Sequence, residues 1–197
     1  MKPHHLALAL ILLAALWRGL AVFEPAFFNV APVTALAFCS AVFWRDRRWW
    51  LVPFAALTLS DLWLNHYHAT EFGYTWSSGG MLLRAGAVAA ALGIGRLVAT
   101  RRSVPALIAG SLGSSLIFYL VTNTMAWAGD VFYPGSLAGW WQAMTVGHPE
   151  YPPTLWFFRN TLFGDLFFTG LFAAALQGAT TWEARRAPAE RLTGSPA

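Results

Sequence analysis

Apolar residues come along this chain in long blocks, separated by short stretches of polar and aromatic residues. Six blocks can be marked, at about 4–22, 31–46, 49–66, 80–99, 104–127 and 155–177, each close to the ~20 residues a helix needs to cross a hydrocarbon core. The second block is short and opens with Pro32, a residue suited to the first turn of a helix. The fourth pairs Gly86 with Ala90 and Ala89 with Gly93, and the fifth pairs Gly110 with Ser114. Small residues four apart let helix backbones approach closely inside a membrane, so these pairs read as packing surfaces. The pattern predicts an all-α membrane protein: six transmembrane helices over residues 1–178, then a flexible tail over 179–197.

Charge gives the orientation. Lys2, the cluster Arg45, Arg47 and Arg48, the cluster Arg96, Arg101 and Arg102, and the tail residues Arg185, Arg186 and Arg191 mark alternate connections. The connections 23–30, 67–79 and 128–154 contain no Lys or Arg. By the positive-inside rule both termini are cytoplasmic and those three loops face outward. Arg18 within the first block argues that residues 1–22 are a span rather than a cleaved signal peptide.

Composition agrees and narrows the function. The chain is 57% hydrophobic and 11% charged, where a soluble domain carries roughly 25% charged residues. The formal charge of +4 sits in short clusters between apolar blocks, which excludes a nucleic-acid partner and leaves the lipid bilayer. A single thiol, Cys39, excludes an intramolecular disulfide framework and a multi-thiolate metal site. No H-E-x-x-H, G-x-S-x-G or P-loop argues for a hydrolase or a transferase.

Polar residues inside the blocks carry the chemistry. A charge at membrane depth costs at least ~2.5–3.5 kcal/mol and is rarely left facing lipid. Arg18, Asp61, Arg84, Asn123 and Arg159 each fall about four or five residues inside an outer helix end, in one layer roughly 6–8 Å deep. Asp165 lies deeper. Two readings follow: an outward-facing polar pocket between helices, roofed by loops rich in aromatics such as Tyr74 and Trp76, or a network that only pins the helices together. Asp165, the deepest, best fits the second. His66-x-His68 at the outer end of the third block is a weak zinc signal, because helical ligand pairs prefer a spacing of four. Cys39, near mid-depth, reads as a small apolar filler unless it lines the pocket.

The runs Asn29-Val-Ala-Pro32-Val-Thr-Ala-Leu-Ala, Pro53…Ser60-Asp61, Thr122-Asn123 and Phe158-Arg159-Asn160-Thr161-Leu162-x-Gly164-Asp165 resemble small bacterial six-helix membrane proteins. These are similar to the substrate-binding S components of energy-coupling-factor vitamin transporters, and the chain most resembles the solitary cobalamin transporters among them. The resemblance implies an S-component-like bundle in the bacterial inner membrane, with a vitamin held near the outer face. It implies cobalamin as the bound substrate, with Asn29, Asp61, Arg84, Asn123, Arg159, Trp76 and Tyr74 around it. It also implies an axial cobalt ligand from Cys39, His66 or His68, with Cys39 able to assist loss of an upper ligand such as cyanide. The first span has no alanines four apart, whereas S components that dock on a shared energising module commonly carry Ala-x-x-x-Ala there; solitary action follows. The alternatives are an S component for another small cofactor or precursor without a metal bond, and a structural membrane protein.

Overall fold

A computed structural model describes residues 3–24, 27, 29–73, 75 and 77–186. Among these residues the chain is all-helical: α1 (Pro3–Ala21), α2 (Val33–Phe43), α3 (Leu51–Phe72), α4 (Ser78–Val98), α5 (Val104–Gly129), α6 (Leu137–Met144) and α7 (Thr154–Arg186). A 3-10 turn, Arg47–Trp50, links α2 to α3. Three helical segments, Ser78–Val98, Val104–Gly129 and Thr154–Gly178, are long and apolar enough to cross a membrane.

Short polar side chains set several helix starts. Ser77, Ser103 and Ser136 each accept a hydrogen bond from the backbone N–H three residues on, at Gly80, Ala106 and Gly139, and so begin α4, α5 and α6. Gly73, with φ of 72°, ends α3 in the left-handed conformation that glycine adopts without strain.

The helices differ from the expected blocks at their ends. The third continues to Phe72, so His66 and His68 lie on a helix. The last helix runs on to Arg186, so the first part of the expected tail is helical, and residues 187–197 lie outside the described region. The long connection between α5 and α7 folds in part into α6.

The second block differs most. Pro32 begins α2 and Trp44 leaves it in extended conformation, so the helix has 11 residues and every one is buried. At 1.5 Å per residue it is about 16 Å long, roughly half of a bilayer core. It packs most extensively on α4, and also on α7, α3 and α5. Phe38, Phe168 and Phe172 fill the core around it.

Close approach to α4 depends on a stripe of small buried residues, Ala87, Ala91 and Gly95. A Cβ on Gly95 would lie 2.3 Å from the Phe38 carbonyl oxygen. The pairs expected from sequence sit elsewhere: a Cβ on Gly86 or Gly93 would meet nothing within 4 Å. Gly110 does contact α2, through the Phe38 ring.

Candidate functional site

Because α2 is short, its longer neighbours leave space beyond its N-terminus. A cavity of about 550 Å3 lies there. Its floor is the start of α2, with Val33, Thr34 and, from α7, Asp165. Its walls come from α1 (Arg18), α3 (Leu57, Leu64, His68), α4 (Arg84, Val88), α5 (Phe118, Tyr119, Thr122, Asn123) and α7 (Phe157, Phe158, Thr161). Asn29–Ala31 and the segment carrying Tyr133, His148, Tyr151 and Pro152 complete the lining.

Asp165 holds the floor in place. Pro32 gives α2 no side-chain cap, which leaves N–H groups without helical partners. The Asp165 carboxyl accepts one of them, from Ala35, and also the Ser115 hydroxyl at 2.7 Å. A carboxylate at a helix N-terminus also meets the positive end of the helix dipole. The capping group that α2 lacks locally is thus supplied by the last helix. Below it, Thr169 donates to Ser111 at 3.0 Å.

One wall is ionic. Asp61 receives Arg18 on one carboxylate oxygen at 2.8 Å and the Arg84 Nε on the other at 3.2 Å. Arg18 also donates to the Ser60 hydroxyl. The arginines line the cavity, and Asp61 sits behind them.

Another part of the wall is aromatic. Tyr119 and Phe158 stack with centroids 4.1 Å apart. The Tyr119 hydroxyl donates to the Met144 carbonyl and Trp140 Nε1 donates to Thr124 Oγ1 at 3.0 Å, so α6 is tied to the C-terminal part of α5. Burial, then the neighbouring Asp130, push the Tyr133 phenol above its ordinary value, so it stays a protonated donor at neutral pH.

The residues expected to form a pocket divide. Asn29, Arg84 and Asn123 line the cavity, and Asp61 orders its arginines. Asn29 has φ of 63°, tolerated by asparagine, and its carbonyl accepts from Thr161 Oγ1 at 3.3 Å. Arg159 does not join them. It is exposed, lies over the Trp156 ring at 5.5 Å and donates to Asn160. Tyr74 and Trp76 lie outside the described residues.

The metal-type residues are dispersed. Cys39 is fully buried, its thiol 3.7 Å from the Thr169 carbonyl, and it is absent from the cavity lining. His66 is exposed, while His68 lines the cavity with Nδ1 2.7 Å from the Leu64 carbonyl. Residues two apart on a helix do not share a face. Among the described residues no group of three His, Cys, Asp or Glu side chains converges.

Sequence reasoning assigned the α2 N-terminus, Tyr119, Thr161 and Phe158 no part in the site, and gave Asp165 only a structural one. The available signal was Pro32 before a block too short to cross a bilayer, with a carboxyl at matching depth in the last helix.

Among the described residues, fold and site together define an all-helical protein with three helices long and apolar enough to cross a membrane and a cavity of mixed polar and apolar lining between its helices. The chain belongs to a family of unknown function, DUF6580, whose model matches residues 2–189. No curated protein and no solved structure matches it.

Proposed function

We propose that this is a membrane uptake protein that captures a vitamin or related cofactor from outside the cell. In this reading α1, α2, α3, α4, α5 and α7 make six crossings of the bacterial inner membrane with both termini in the cytoplasm. The residues supporting that orientation are the arginines at alternate connections, Arg45, Arg47 and Arg48 before α3 and Arg96, Arg101 and Arg102 before α5. The protein acts alone, without an energising module.

The observation that carries the proposal is the cavity: six helices and two connecting segments converge on about 550 Å3 lined by polar, aromatic and aliphatic side chains. That volume falls in the range of ligand sites, ~300–1,000 Å3. A network that served only to pin helices has no need of enclosed space above α2.

Cobalamin is the first ligand to test, on the resemblance to solitary cobalamin transporters. A cobalt contact would fall to His68 or His148, which line the cavity, rather than to Cys39, which does not. Thiol-assisted loss of the upper ligand therefore has no part in this reading. A second reading, a smaller cofactor without a metal bond, is favoured by the volume. Such a ligand fits the cavity as it stands, whereas a corrinoid requires the outer segments to part.

The test is an absorption spectrum of protein purified in mild detergent from cells supplied with cobalamin, followed by mass spectrometry of released small molecules. Corrin bands near one equivalent support cobalamin. A colourless protein that releases another cofactor supports the second reading. If no small molecule is recovered, the uptake reading fails.

A further inference from the structure

The cavity floor keeps hydrogen-bonding groups that the protein itself does not use. A helix leaves its first N–H groups without partners inside the helix. In α2 the Leu36 N–H donates to the Pro32 carbonyl at 2.8 Å, and the Ala35 N–H donates to Asp165. The N–H groups of Val33 and Thr34 have no partner among the described residues. Neither has the Thr34 hydroxyl, on a residue only 5% exposed. Both residues line the cavity. A buried donor left unanswered is costly, so donors kept here point to a group that arrives from outside.

Asp165 stands beside them, because the N–H it accepts belongs to the residue after Thr34. A carboxylate has room for about four hydrogen bonds. Ser115 and Ala35 supply two, and Asp165 also lines the cavity. The floor therefore offers donors and an acceptor side by side. A bound anion would be repelled by Asp165, and a bound cation by the positive end of α2. A neutral group with an N–H and a C=O on one edge satisfies both.

We propose that the ligand taken by this cavity carries a carboxamide, a lactam or a ureide, and that this group is seated at the start of α2. Its carbonyl oxygen accepts from the Thr34 hydroxyl and the free N–H groups, and its own N–H donates to Asp165. The stacked Tyr119 and Phe158, which also line the cavity, receive the remainder. The inference rests on the uptake reading and names the chemistry of its ligand.

Benzamide, benzoate and acetophenone test this, since they share a ring and a size and differ in the group presented. Binding is followed by calorimetry and tryptophan fluorescence on the full chain in mild detergent. Benzamide should bind at least about tenfold more tightly than either, because benzoate meets Asp165 as a like charge and acetophenone brings it no donor. Thr34→Val should weaken benzamide about three- to tenfold, and Thr34→Ser should keep it. Thr34→Val should not lower the unfolding midpoint, because the hydroxyl it removes has no partner within the protein.

Binding of none of the probes, or benzoate or acetophenone bound as tightly as benzamide, would overturn the proposal. So would a Thr34→Val protein that loses stability and still binds benzamide as the parent does, the mark of a purely structural hydroxyl. A ligand recovered on purification that lacks such a group would overturn the seat and leave the uptake reading standing. Recovery of nothing, with benzamide preferred, would do the reverse.

Discussion

Substituting Gly95 by alanine tests the packing on which the cavity depends. Its new Cβ would lie 2.3 Å from the Phe38 carbonyl oxygen and 3.0 Å from the Ala41 Cβ. Carbon and carbonyl oxygen settle near 3.3 Å, so α2 and α4 must part by about 1 Å. The obstacle is backbone, with no flexible side chain to swing aside. Overpacking of this kind costs ~1–3 kcal/mol. Gly93→Ala, two residues earlier on α4, meets nothing within 4 Å and should gain about 0.5–1 kcal/mol from helix propensity. Both variants share that propensity gain, so they should differ by the overpacking cost, about 1–3 kcal/mol. The assay is the unfolding midpoint in a graded mixture of sodium dodecyl sulfate and mild detergent, with Gly86→Ala as a second open-face control. Equal midpoints for Gly95→Ala and Gly93→Ala would refute the buried position of α2.

Asp165→Ala should destabilise the protein by about 1–3 kcal/mol, because the Ala35 N–H loses its acceptor in a buried place, while Asp165→Asn, which keeps one acceptor oxygen, should lose less; the same unfolding series ranks them. Tyr119→Phe keeps the stack on Phe158 and removes the bond to Met144, so α6 should lose amide-exchange protection while α5 keeps its own, at a cost of about 1 kcal/mol. Cys39 should resist a maleimide until the protein is denatured, which leaves a silent background for topology mapping. On it, Gly135→Cys should label from outside intact cells and Thr100→Cys only after permeabilisation; labelling of both from outside would refute the six-crossing reading.

Depth along a helix was legible in the sequence, and direction around its axis was not. The apolar blocks place Arg18, Asp61 and Arg84 at one level, and these three do meet. The same count gives Arg159 that level too, yet it is exposed beside Trp156, on another side of its helix. Cys39 is in the buried α2, but its thiol is packed against Thr169 rather than turned toward the cavity. Amphipathic periodicity resolves this in soluble proteins; here both lipid and core are apolar, so the period is weak. Small residues were misleading for the same reason, since Gly86 and Gly93 lie on an open face of α4 and Gly95 makes the contact. The role of Asp165 was hidden differently. Its partner is a backbone N–H, which side-chain patterns do not display.

The brevity of α2 sets an order of events during synthesis. The segment emerges from the ribosome second, yet its helix touches α3, α4, α5 and α7 and is buried along its whole length. Its capping carboxyl, Asp165, is translated some 130 residues after Ala35. On the six-crossing reading, the nascent chain until then holds an uncapped half-length helix in the bilayer, where backbone groups find no water to satisfy them. Completion of this protein is therefore a closing step made by its last helix, and a chain cut short before α7 should be retained by membrane quality control rather than accumulate as a stable five-helix fragment.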